Sequence, residues 1–137
     1  MAVGKGRARA RRPAVPVGGK YISGNANIDE TYGSSKVGPH YLQKTSAVGM
    51  YPQGASPYGV QDMSGNVWEW CLNEYEKPER TQEEGDAWRV WRGGSWNSNV
   101  DDAAAPVRNW YSPNSRFDFY GFRLVAVSSS PFRSSGL

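Results

Sequence analysis

A chain of 137 residues that is 38% hydrophobic allows one domain with a single modest core. No apolar run approaches the roughly 20 residues of a membrane span, no apolar stretch follows the basic start as in a signal peptide, and the single cysteine, Cys71, excludes an internal disulfide framework. The net charge of +3 belongs to the start of the chain: Lys5, Arg7, Arg9, Arg11, Arg12 and Lys20 precede any acidic residue, and the remaining 10 basic and 13 acidic residues leave the body at −3. Nucleic acid is therefore not an expected partner of the folded body.

Residues 1–19 read as a basic disordered arm without a periodic apolar face. Residues 20–61 are dense in turn formers such as Gly24-Asn25, Gly38-Pro39 and Tyr51-Pro52-Gln53-Gly54, and hold no helix of ordinary length. Asn66–Leu72, rich in β-formers after Ser64-Gly65, predicts a strand. Residues 73–87 form a polar, acidic loop. Arg89–Arg92 predicts a second strand that Ser95-Trp96 continues past a bulge at Gly93-Gly94. Residues 103–108 predict a short strand, and Phe122–Val127 the clearest buried strand. Residues 128–137 are a Ser-rich flexible tail. Trp68, Trp70, Trp96 and Phe122 are the expected core.

The segment from Arg108 to Arg123 has a composition of its own. Between Arg108, Pro113, Arg116 and Gly121-Phe122-Arg123 stand only Asn, Trp, Tyr, Ser, Phe and Asp. Rigid aromatic area interleaved with small hydrogen-bonding residues is the chemistry of a binding surface. Such a surface cannot also supply the core, so its backbone needs fixing from outside. Arg108, Arg116 and Arg123, with five donors each, are expected to bond carbonyls there, while Pro113 and Gly121 set turns.

Three motifs occur in order: Gly59-Val-Gln-Asp-Met-Ser-Gly-Asn-Val-Trp-Glu-Trp-Cys71, Arg89-Val-Trp-Arg-Gly-Gly-Ser-Trp96 and Gly121-Phe-Arg-Leu-Val125, with Asn25-Ala-Asn-Ile28 ahead of them. Over residues 20–127 the chain resembles the formylglycine-generating-enzyme (sulfatase-modifying factor) family, a branch of the C-type lectin fold. The resemblance implies an α+β fold that is mostly irregular with a small antiparallel sheet, here without the family's usual N-terminal half. That loss would expose sheet edge and core, so self-association or a partner chain is expected.

The family's copper-binding thiols would fall on Ser98 and Ala103. Neither suits a soft cuprous ion, so no copper is expected, and Cys71 lies on another strand. The lone His40 cannot build the histidine and carboxylate cluster of an iron oxygenase. The resemblance also implies a structural calcium held by the side chains of Asp62 and Glu69 and the carbonyls of Gly65 and Val67, all hard oxygens. A second calcium site beginning at Asn27 and Ile28 finds no carboxylate between Gly38 and Leu42 and is expected to be lost.

The chain further resembles the variable proteins of diversity-generating retroelements, which carry Arg-Gly-Gly-Ser-Trp and then exchangeable positions, templated by Asn codons and rewritten at adenines, between fixed Arg, Pro and Gly-Phe-Arg. By this resemblance the ligand-binding positions are Asn97, Ser98, Asn99, Asp101 and Asp102 in a first block, and Asn109, Trp110, Tyr111, Ser112, Asn114, Ser115, Phe117, Asp118, Phe119 and Tyr120 in a second. All of the second block except Trp110 can be reached from an AAC codon by changing adenines; Trp110 fits an AGG arginine codon instead. The implied function is non-enzymatic binding of a protein or glycan ligand. Two alternatives stay open: a divergent sulfatase-modifying-type enzyme, and a fixed carbohydrate or protein receptor on the same scaffold.

Overall fold

A computed structural model describes residues 21–32, 38 and 40–126. The basic arm, the Ser-rich tail and Val127 lie outside the described residues. Four strands form one sheet: β1 (Trp68–Glu74), β2 (Arg89–Arg92), β3 (Arg108–Tyr111) and β4 (Tyr120–Gly121), in the order β3-β2-β1-β4. The only helical element among the described residues is a 3-10 turn, Pro52–Gly54, with Pro at its first position. No helix there is long and apolar enough to cross a membrane.

The expected antiparallel sheet is mixed. β1 pairs antiparallel with β2, and β2 with β3, but β1 runs parallel to β4, with Trp68 opposite Tyr120 and Glu69 opposite Gly121. A parallel neighbour needs a crossover, which the long route through β2, β3 and the 112–119 loop supplies. The α part of the expected α+β class finds no α-helix among the described residues.

Three predicted strands differ. The first runs Trp68–Glu74, two residues later than expected, because Gly65 and Asn66 hold positive φ (78° and 68°) and turn the chain before pairing starts. The second ends at Arg92: Gly93 and Gly94, at φ 92° and 69°, break it, and Ser95-Trp96 enter a turn. Strand structure expected over 103–108 falls instead on Arg108–Tyr111, since residues 101–106 are spent in turns.

The segment after β4 is the largest discrepancy. Phe122, Leu124 and Val125 are 71%, 88% and 81% exposed, and residues 122–126 form no regular strand. Pairing with β1 stops at Gly121, and in this stretch Arg123 is tied down by side-chain bonds while the apolar residues extend into solvent. An apolar run forms a buried strand only where another layer covers it.

The core has two parts. Ala26, Ile28 and Ala103 form an aliphatic knot flanked by Tyr21 and Val100. Trp68, Val90 and Trp91 bury the sheet. Of the four expected core residues, Trp68 is buried, Trp70 and Trp96 are half-buried, and Phe122 is exposed. Gly94 explains why the Gly-Gly motif is needed. A Cβ there would stand 2.8 Å from the Cα of Ala103, so the strand end could not reach the knot.

Asn27 and Asn66 bind the N-terminal segment to this frame. The Asn27 amide donates to the Lys44 carbonyl and to Asn66 Oδ1, and the Ser46 N–H donates to Asn66 Oδ1 at 2.8 Å. Glu30, fully buried, accepts bonds from the Tyr21 hydroxyl, the Ser23 hydroxyl and the Gly24 N–H at 2.8, 2.6 and 2.8 Å.

Candidate ligand-binding surface

The second block of expected binding positions begins on an edge strand. β3 pairs Val90 with Trp110 and Trp91 with Asn109, and all four of its residues are exposed. Main-chain pairing does not depend on side-chain identity, so an edge strand fixes Asn109, Trp110 and Tyr111 in space whatever they are.

Side chains alternate across a strand, and this splits what the sequence presents as one surface. On one face, Tyr111, Phe117, Phe119 and Tyr120 form a connected ring cluster. Tyr111 meets Phe117 edge-on at 5.7 Å, and Phe117 meets Tyr120 at 5.0 Å and Phe119 at 5.1 Å. Its floor is the tryptophan core: Trp91 contacts Tyr111 at 5.7 Å and Tyr120 at 4.4 Å, and itself packs on Trp68 and Trp70. Offset and edge-on pairs at these distances add to simple burial. On the other face, Trp110 stacks on Trp88 at 4.1 Å and 2°, with Tyr75 beside it.

The positions are unequal. Trp110, Tyr111 and Phe117 are 36–46% exposed, and Asn109, Asn114 and Asp118 are also exposed. Ser112, Ser115, Phe119 and Tyr120 are half-buried. Tyr120 belongs to core and surface alike: burial pushes its phenol up to about 12. A cleft of about 560 Å3 opens beside this cluster, lined by Trp70, Cys71, Phe117 and Tyr120 among others. Burial also raises the Cys71 thiol, which makes it a poor nucleophile.

The first block is corrected at one position. Ser98 is 7% exposed; its hydroxyl accepts the Ser95 N–H at 3.0 Å, and its carbonyl accepts the Asp29 N–H. It is part of the frame, because the chain must fold back onto residues 26–30 there. Asn97 and Asp101 are exposed, and Asn99 and Asp102 cap each other across their own turn.

All three arginines bond backbone carbonyls, but only Arg116 does so within the segment itself, while Arg108 and Arg123 tie it to other loops. Arg108 donates to Tyr75, Arg116 to Pro113 and Ser115, and Arg123 to Gln61 and Asp62. Trp88 and buried Arg89 carry weight that the sequence reading missed. Arg89 donates to the carbonyls of Leu72 and Glu84, clamping the acidic loop to β1. A tryptophan inside an otherwise acidic, polar loop was the available signal for Trp88.

The four expected cation ligands, Asp62, Gly65, Val67 and Glu69, line one cleft of about 500 Å3 with Arg123. Asp62 has φ 54°, and its Oδ2 accepts the Gly49 N–H at 2.7 Å. Glu69 is already engaged: Arg123 grips its carboxylate with Nε at 2.5 Å and with a terminal nitrogen. That bond holds the guanidinium pKa above its ordinary value. The four residues thus share one cleft, but Arg123 already places a positive charge there, and the Gly65 carbonyl accepts the Val67 N–H at 3.0 Å.

The chain belongs to the sulfatase-modifying factor enzyme 1-like domain family, whose model matches residues 8–127. Among its relatives, hercynine oxygenase of Mycobacterium tuberculosis is 34% identical over 130 residues, 87% of this chain and 30% of that protein. The inactive C-alpha-formylglycine-generating enzyme 2 of Mus musculus is 35% identical over 92 residues, 61% of this chain and 28% of that one. Among solved structures, variable protein 1 of Treponema denticola is similar with a TM-score of 0.53 and 30% identity, over 72% of this chain and 34% of that one. The chain therefore spans less than a third of these curated relatives. The family holds both enzymes and inactive members, and the structural neighbour shares the variable-protein class that the Arg108–Arg123 pattern resembles.

Proposed function

We propose that the chain is a non-enzymatic ligand-binding protein of a diversity-generating retroelement, which presents exchangeable side chains on a fixed lectin-like frame. One observation carries this reading: Tyr111, Phe117, Phe119 and Tyr120 form a joined ring surface, open to solvent at Tyr111 and Phe117, on a floor of tryptophans contributed by other segments. Exposed aromatic residues over a packed base are the residue types that dominate binding energetics. The positions of the family's two thiols argue the same way. Ser98 and Ala103 are both buried in the frame, and neither side chain can supply a thiolate.

Two measurements test the reading. The genome is searched near the coding sequence for a second copy of the DNA encoding residues 92–123 that differs only at adenines, beside a reverse transcriptase; its absence removes diversification. Separately, Tyr111→Ser with Phe117→Ser is compared with the parent on protein and glycan arrays. The double variant is expected to stay folded and to lose the parent's partners. Retention of the same partners at the same strength overturns the binding surface.

The cleft at Asp62 and Glu69 is part of the proposal, as a structural calcium site. Its support is that Asp62, Glu69, Gly65 and Val67 all line one cleft. Calcium there would pin the start of β1; binding would require Glu69 to share its carboxylate with Arg123.

A further inference from the structure

The face of β3 opposite the ring cluster carries chemistry that the proposed surface does not use. Residues 73–88, from the end of β1 to the start of β2, hold Glu74, Glu76, Glu79, Glu83, Glu84 and Asp86 against Lys77 and Arg80, a net charge of −4. Three of those carboxylates, Glu74, Glu76 and Asp86, line a cleft of about 280 Å3 whose wall is Trp88. Trp88 is 47% exposed although Trp110 covers part of it in a coplanar stack. Arg89 fixes the loop from below through the Glu84 and Leu72 carbonyls, so the cleft is built on a held backbone.

The same face already binds one guanidinium. Arg108 lies over the Tyr75 ring at 4.3 Å from its centroid and donates to the Tyr75 carbonyl at 3.1 Å. Tyr75 and Trp88 are neighbours through Trp110 and through the Tyr75 N–H to Trp88 carbonyl bond of 2.8 Å. An aromatic face beside a backbone carbonyl is thus a mode of cation capture that this surface displays with its own residue. At Trp88 the aromatic wall recurs with carboxylates around it.

We infer that the Trp88 cleft receives an arginine side chain presented by a protein partner. Its volume suits one side chain rather than a folded segment. A planar guanidinium stacks on an indole face and can meet carboxylates at its edge, whereas a strongly hydrated ammonium stacks less well. Asp86 accepts a 3.3 Å bond from the Asn114 amide, which spends one of several acceptor sites on its two oxygens. The inference rests on the ligand-binding reading for the partner being a protein. It goes further by naming the chemistry: a fixed arginine-specific contact flanks the exchangeable surface, and Trp110 and Asn114 join the two.

The experiment uses the full chain and three small probes: N-acetylarginine methylamide, its citrulline counterpart of nearly equal shape without charge, and its lysine counterpart. Tryptophan fluorescence and the Trp88 indole N–H resonance, assigned by its disappearance in Trp88→Phe, report binding. The arginine probe is expected to shift that resonance, with the citrulline probe about tenfold weaker and the lysine probe intermediate. Glu76→Gln with Asp86→Asn is expected to weaken arginine binding about fivefold, as two exposed charge contacts do. Glu79→Gln with Glu84→Gln removes the same charge from the same loop outside the cleft and should stay within about twofold of the parent. Trp88→Ala, checked for folding by circular dichroism, should lose binding, and Trp88→Phe should keep part of it. Equal binding of the citrulline probe, equal losses in the two double variants, or undiminished binding by folded Trp88→Ala each overturns the inference. Those results would leave the ring-cluster reading intact, because that reading fails only if Tyr111→Ser with Phe117→Ser keeps its partners.

Discussion

At the scale of single residues, Glu30 shows how a buried charge is retained. Burial alone would raise its carboxyl pKa, but bonds from Ser23, the Gly24 N–H and Tyr21 outweigh that and hold it below the ordinary value. The folded-state pKa is depressed, so the stability this group contributes is fully present above the unfolded carboxylate range and is lost as pH falls through the folded pKa. Chemical denaturation from pH 7 down to 3 should therefore show a falling stability below about pH 4.5. Glu30→Gln should lose about 1–3 kcal/mol at pH 7, because three donors arranged for an anion meet a poorer acceptor, and its acid limb should be flatter. An unchanged acid limb would mean that Glu30 titrates alike in both states.

At the scale of elements, each loop is short of regular pairing and is held by a few specific bonds. The Gly93-Gly94 break is one such point. Gly94→Ala places a Cβ within 2.8 Å of the Ala103 backbone at a φ of 69°. Strain and overpacking together should cost about 2–4 kcal/mol, measured by urea denaturation. Gly85→Ala is the control: it also has positive φ, but its Cβ meets nothing within 4 Å, so it should cost only the conformational part, about 1 kcal/mol. Equal losses would show that the Ala103 contact does not matter. The arginines act at this scale too, since they satisfy carbonyls of chain that no strand or helix satisfies.

At the scale of the whole molecule, Arg123 pairs with Glu69 near the start of β1, and the proposed calcium would meet the same carboxylate. A calcium ion bound only by the folded chain raises stability by about 2.7 kcal/mol at a hundredfold excess over its dissociation constant. Thermal melts of the metal-free protein with and without calcium should differ accordingly. Glu69→Gln should abolish the difference and also weaken the Arg123 pair. Arg123→Gln separates the two roles, since it should leave the calcium response in place or enlarge it by freeing the Glu69 carboxylate. Metal-free protein whose melt ignores calcium would show that Arg123 alone serves as the cation.

The sequence by itself determined the family, the order of its motifs, the two central strands and the arginine-to-carbonyl bonds. These rest on local signals: β-forming runs bounded by glycine, and side chains whose donor geometry leaves few partners. It also set Asn109 to Tyr120 apart from core by composition, but as one surface, which the structure splits between the Tyr111–Phe117–Tyr120 cluster and the Trp110–Trp88 stack. What it could not decide were the facts of pairing. Only the formation of a strand over Arg108–Tyr111, rather than over 103–108, puts Trp110 and Tyr111 on opposite faces, and only the parallel β1–β4 contact makes the sheet mixed. Ser98 reads as a surface serine until the chain folds back onto Asp29, and Phe122 reads as core until the strand that should hold it ends at Gly121. Burial is a property of distant segments meeting, and no window of sequence contains both partners.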